Sequence, residues 1–183
     1  MGKIYEEIDE RWASFIKAQK MFFVATAPLA ADGHVNVSPK GYDTFSIIDP
    51  LTVAYLDIGG SGIETLSHVQ ENKRITLMFC ALEGAAKILR LYGEGEAIDF
   101  NHPEFNDLMK LFPAHDRARN IICVRVTRIQ DSCGWGVPFY EFKSERDQLK
   151  RYYADKSAGD IEAKYYVSNA ASIDGLPGIE KPE

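Results

Sequence analysis

Between Met21 and Gln130 the chain is a succession of short segments rich in β-branched and aromatic residues: MFFVATA, HVNVSPKGYDTFSII, LTVAYLD, ITLMFCAL, KILRLYGEGEAI and NIICVRVTRIQ. Such side chains suit a pleated, half-buried surface, and the turn signals Asp32-Gly33 and Asp49-Pro50 divide the run into consecutive strands. Helical sequence intrudes at ETLSHVQENKR, between the third and fourth of these segments. The pattern predicts a mainly β fold with flanking helices. About six or more antiparallel strands would close toward a barrel or sandwich, which limits exposed sheet edges.

Outside that run the period changes. Ile4, Ile8, Trp12, Phe15 and Ile16 recur at helical spacing, predicting an amphipathic helix from Lys3 to about Lys20. Pro103 suits the first turn of a short helix through PEFNDLMKLF. Past Pro138, FYEFKSERDQLKRYYADK reads as a helix with a charged face, and IEAKYYVSNAASIDGLPGIEKPE as a tail, mobile unless docked. With 183 residues the expectation is a single domain: residues 1–20 as N-terminal helix, 21–137 as barrel, 138–183 as C-terminal helix and tail.

A composition of 45% hydrophobic and 26% charged residues is that of an ordinary globular protein. The net charge of −6, with Lys and Arg spread along the chain, argues against an open nucleic-acid surface. The acidic, periodic N-terminus lacks the features of a signal peptide, and no apolar run approaches the ~20 residues that span a bilayer. Cys80, Cys123 and Cys133 are an odd set without CxxC spacing, which favours reduced thiols. A cytoplasmic location with no membrane partner is the expectation.

Three motifs carry potential chemistry. In IGGSGIETLSHVQENKR, Gly59, Gly60 and Gly62 lead from a strand into a helix, whose N-terminal N–H groups and dipole suit a phosphate, with Thr65 one turn in. Ser61 and Glu64 equally fit a capping box, and both readings stand at this level. The segment is neither a P-loop nor the Rossmann fingerprint. In NVSPKG, Ser38 and Lys40 share one strand face, as do Arg90 and Tyr92 in LRLYGEG, either to meet a ligand or as a solvated side. IQDSCGWGVP places Cys133 and Trp135 in a tight loop, where they line a site or close the barrel. His34, His68, His102 and His115 lack metal-ligand spacing and read as surface or capping residues, so no metal is expected. No acid–base constellation stands out. A cofactor would have to supply the reactive atoms.

The order HVNVSPKG, TVAYLDIGGSG, ETLSHVQENKR, ITLMF, LRLYGEG resembles the pyridoxamine 5′-phosphate oxidase-like family of FMN-binding split barrels over about residues 20–130. IQDSCGWGVP and SNAASIDGLPG extend the likeness to a subgroup of related proteins. The resemblance implies a homodimer with flavin mononucleotide (FMN) at its interface. Phosphate and ribityl chain would lie against Val37, Ser38, Pro39 and Lys40, with Gly60, Ser61, Gly62, Glu64 and Thr65 completing the cradle. The partner's strand from Ile88 to Arg90 would approach the flavin ring. It further implies an FMN-dependent oxidoreductase acting on a small substrate, with Lys40 or Arg90 stabilising the reduced ring. A non-catalytic FMN carrier, or a split barrel using F420 or haem, is the alternative.

Two positions depart from the family pattern. Glu64 stands where many members place an Arg or Lys on the phosphate, and its carboxylate repels that group unless Ser61 holds it back, leaving more to Lys40 and Arg74. Ile88 falls where enzymes acting on pyridoxamine phosphate present a polar side chain. No segment matches the arginine and histidine that hold pyridoxal phosphate there. Ile88 and the missing segment count against pyridoxamine-phosphate oxidation, and no catalytic residue is assigned.

Overall fold

The computed structural model describes residues 2–182. Its elements in chain order are β1 (Ile4–Tyr5), α1 (Glu10–Ala18), β2 (Phe22–Thr26), β3 (Asn36–Lys40), β4 (Phe45–Asp49), β5 (Thr52–Asp57), α2 (Glu64–Asn72), β6 (Arg74–Cys80), β7 (Ile88–Asp99), α3 (Phe105–Met109), β8 (Asn120–Ser132), α4 (Gln148–Ala154) and α5 (Ala158–Ser168). The strands form one antiparallel sheet in the order β3-β2-β6-β7-β8-β5-β4, with β1 added beside β8. This is the split barrel that the family resemblance implies, one of the two architectures, barrel or sandwich, that the strand pattern left open. Its split lies between edge strands β3 and β4, joined by Gly41–Thr44, where Tyr42 and Asp43 take left-handed φ values of 63° and 55°.

Alternation along the strands builds the core. Phe22 and Val24 of β2, Leu77 and Phe79 of β6, Leu89 and Leu91 of β7, and Val53 and Tyr55 of β5 converge inside the barrel, capped by Trp12 and Ile16 of α1. The intervening residues of β5, Ala54 and Leu56, are equally buried because Phe105 and Phe112 cover the sheet's outer side. A third cluster joins Ile63 and Leu66 to Ile161, Tyr165 and Ile179, fixing the C-terminal segment against α2. The long pair β7 and β8 bends at a bulge after Tyr92. There Gly93 lies so close to β8 that a Cβ would stand 2.5 Å from the Arg125 carbonyl oxygen.

Four sequence expectations change. The N-terminal helix is shorter than 3–20, because the Asp9 carboxylate caps it by accepting from Trp12 N at 2.8 Å, and Ile4 and Tyr5 pair with Gln130 and Ile129 instead. HVNVSPKGYDTFSII is two strands, broken at the left-handed residues Tyr42 and Asp43. Residues 139–147 are irregular rather than helical, since Tyr140 N donates to Leu82 O and Phe142 N to the Glu83 carboxylate, which draws this stretch away from helical bonding. The tail contains a further helix, α5, capped by the Ser157 hydroxyl, and then docks: Gly178 N and Ile179 N donate to Ala170 O and Asn169 O.

Leu91 is fully buried at the middle of β7, whereas Val35 is 71% exposed. Leu91→Ala should lower the unfolding free energy by about 2–5 kcal/mol, and Val35→Ala by no more than about 0.5 kcal/mol, both read by urea denaturation.

Candidate functional site

A groove of about 690 Å³ opens where β3, the glycine turn before α2 and the C-terminal segment meet. Asn36, Ser38 and Lys40 occupy one half-buried face of β3, while Val37 and Pro39 point to the exposed side. Pro39 is tolerated because β3 is an edge strand, where a missing N–H leaves no ladder bond unmade. The opposite wall is Gly59 to Gly62 with Glu64, and the third is Ala171, Ser172 and Ile173. Gly59 is required here: its φ is 110°, and a Cβ would stand 2.2 Å from the Tyr165 hydroxyl.

Beneath the groove lies a charge cluster centred on Asp57, at the end of β5. Lys40 Nζ donates to its Oδ1 at 3.1 Å, and Arg119 donates to its Oδ2 through Nε at 3.1 Å and Nη2 at 2.9 Å. Arg119 Nη1 continues to Asn169 Oδ1 at 3.0 Å and Gly60 O at 3.3 Å. Burial by itself would raise the Asp57 carboxyl, but the adjacent Lys40 and Arg119 charges and their hydrogen bonds hold it far below the ordinary carboxylate range. A second, neutral network supports β3: Ser38 Oγ donates to Asn36 Oδ1, and Asn36 Nδ2 donates to Thr65 Oγ1 at 2.9 Å. Thr26 Oγ1 and His68 Nδ1 extend it at 3.0 Å, the histidine held toward its neutral form by burial.

The C-terminal segment is latched across the rim. His34 N donates to one Asp174 oxygen at 2.8 Å, and His34 Nδ1 lies 2.6 Å from the other, raising the histidine and lowering the carboxyl. Ile173 N donates to Glu64 Oε1 at 3.4 Å. Ser61 and Glu64 do not form the capping box: α2 begins at Glu64 with Ile63 as its N-cap, two residues later than the box requires, no side chain caps it, and the Glu64 carboxylate turns back beside Gly62 toward Ile173.

Of the ten residues singled out in the sequence, Val37, Ser38, Lys40, Gly60, Ser61, Gly62 and Glu64 line this groove. Thr65 is buried behind it and held by Asn36; Pro39 faces away. Arg90 lies elsewhere on the sheet, paired with Met78 and Gln130 and donating to Ser132 Oγ at 3.0 Å. Arg74 bonds to Asn72 and to Pro28 O rather than to the groove. His68 is fully buried, contrary to its reading as a surface or capping residue. Sequence reasoning missed Asn36, Asp57, Arg119 and Asn169. The available signal was a single acid closing the apolar strand TVAYLD and the arginines Arg117 and Arg119 ahead of the apolar run IICV.

The sequence profile of pyridoxamine 5′-phosphate oxidase matches residues 8–133. The chain belongs to this family. One relative, the pyridoxamine 5′-phosphate oxidase family protein ustO of Aspergillus flavus, is 33% identical over 196 residues, spanning 98% of this chain and 78% of its own length. Among solved structures, a point variant of HupZ from Group A Streptococcus aligns with a TM-score of 0.56 at 21% identity, covering 68% of this chain and 99% of that one. A candidate pyridoxamine 5′-phosphate oxidase of Lactobacillus delbrueckii aligns at 0.51 and 14% identity, over 69% and 98%. These structures share the split-barrel fold. No helix among the described residues of this family member is long and apolar enough to cross a membrane.

Because buried Asp57 pairs with buried Arg119 and half-buried Lys40, Asp57→Asn should destabilise the protein by about 3–5 kcal/mol at neutral pH. A carboxyl depressed by folding adds stability above its unfolded pKa, near 3.9, and loses it as pH falls toward the folded value. The gap between wild type and Asp57→Asn in urea denaturation should therefore hold from pH 7 to about pH 5 and narrow as pH falls below about 4. An unchanged gap would show that the Asp57 charge contributes nothing to it.

Proposed function

We propose that this family member binds FMN in the groove and uses it as an oxidoreductase toward a small substrate. The observation that carries the reading is the meeting, in one groove, of the Lys40 ammonium, the Ser38 hydroxyl and the uncapped N-terminus of α2 behind its glycine turn. Lysine has three N–H donors, of which Asp57 takes one, so two remain for a ligand. The first N–H groups of α2 have no side-chain acceptor and carry the positive end of the helix dipole, an arrangement suited to the dianionic FMN phosphate. Bound FMN would supply hydride and electron transfer, which no side-chain set in the groove provides.

In this reading Lys40 and the backbone of Gly60–Gly62 hold the phosphate, Ser38 joining them once its hydroxyl turns from Asn36 Oδ1, with Val37 and Pro39 shaping the strand beneath it and Thr65 fixed behind. The protein acts as a homodimer, and Arg90 on β7 serves the flavin of the partner subunit. Exposed Trp135, Phe139 and Tyr140 offer apolar surface for such an association. Glu64 opposes the phosphate, its carboxylate lying beside the turn.

Lys40→Ala should weaken FMN binding about 10- to 100-fold, the loss of one charge-assisted hydrogen bond. Glu64→Gln keeps an acceptor for Ile173 N while removing the charge, and should tighten FMN roughly fivefold. Both are read by quenching of flavin fluorescence, and unchanged affinities would move the phosphate elsewhere. To separate enzyme from carrier, bound flavin is reduced anaerobically and its reoxidation by small acceptors compared with that of free FMN. At least one acceptor should react faster with the protein; if none does, the carrier reading replaces the enzyme.

A further inference from the structure

We infer that Arg119 is a phosphate-binding residue of the groove, donating from Nη2 to the anionic end of the ligand beneath the glycine turn; the inference rests on the FMN reading above. Arginine carries five N–H donors. Four are engaged: Nε and one Nη2 hydrogen on Asp57, and the two Nη1 hydrogens on Gly60 O and Asn169 Oδ1. The second Nη2 hydrogen remains, and Arg119 lines the groove although its side chain is almost wholly buried. The glycine turn passes close to that atom: a Cβ on Gly60 would lie 3.8 Å from Nη2, in van der Waals contact.

Charge gives the second argument. Lys40 and Arg119 share the single Asp57 carboxylate, so the cluster keeps one positive charge in excess. An uncompensated charge at such burial is costly, and an anion arriving between Lys40 and Nη2 neutralises it. Glu64 and Asp174 stand at the rim, where Ile173 N and His34 already engage them. Asp57 and Asn169 then act as positioning residues, holding the fork so that the remaining donor faces the ligand.

Arg119→Lys keeps the charge but cannot reach Asp57, Gly60 O, Asn169 and a phosphate together. Affinities of wild type and variant for FMN and for riboflavin, which lacks the phosphate, decide the matter. FMN should weaken about 10- to 100-fold while riboflavin stays within about twofold. Equal weakening of both flavins, or no change for FMN, would assign Arg119 a purely structural role and overturn the inference. Wild-type protein that binds FMN no more tightly than riboflavin would instead remove the phosphate site itself. Should Arg119→Lys fail to fold, a crystal structure of FMN-loaded wild type decides: a phosphate oxygen within about 3.2 Å of Nη2 supports the assignment, and a phosphate remote from it overturns it.

Discussion

The buried carboxylate of Asp57 is the interaction on which the site depends. It receives Lys40 from the edge strand β3 and Arg119 from the residue just before β8, while belonging itself to β5. Strands on both sides of the barrel's split are thereby tied at one point. Through Arg119 the tie reaches Gly60 O in the glycine turn and Asn169 at the end of α5. Asn169 Nδ2 in turn donates to Ser61 O at 3.4 Å, so the turn is held from two directions. With Asp57 neutral or absent, two cations would compete for the same small volume, and the walls of the groove would lose their common anchor.

Much of the barrel was legible because period-two alternation and turn residues are local signals. The strands from Phe22 to Ser132 fall where the apolar segments lie, and the helix after the glycine turn is where its pattern placed it. Long-range competition decided the failures. Ile4 continues a helical spacing, yet β8 offers its backbone a ladder partner, and the Asp9 cap starts the helix later. Residues 161–168 carry no strong amphipathic stripe, and their helix is secured by burying Ile161 and Tyr165 against α2.

Site legibility followed the same division. Seven of the ten candidate residues share a groove because two local motifs, NVSPKG and GGSGIET, already contained them. Asp57 and Arg119 carried only a weak local signal and Asn169 none, since their meeting depends on three elements far apart in sequence. The Ser61–Glu64 capping box failed because α2 starts two residues later, at Glu64 with Ile63 as its N-cap, and the Glu64 carboxylate meets Ile173 N of the docked C-terminal segment. What read as a trailing tail is a wall of the groove, latched by Asp174 on His34.

Family membership and the split barrel are properties of the chain as a whole, whereas the proposed flavin depends on one groove with unspent donors on Lys40 and at the start of α2. The most direct test of that central claim is the visible absorption spectrum of the purified protein after exposure to flavin, with mass analysis of the released cofactor. The account predicts the yellow spectrum of an oxidised flavin and the release of FMN. A colourless protein that takes up no flavin, or one that releases a different group, would contradict it.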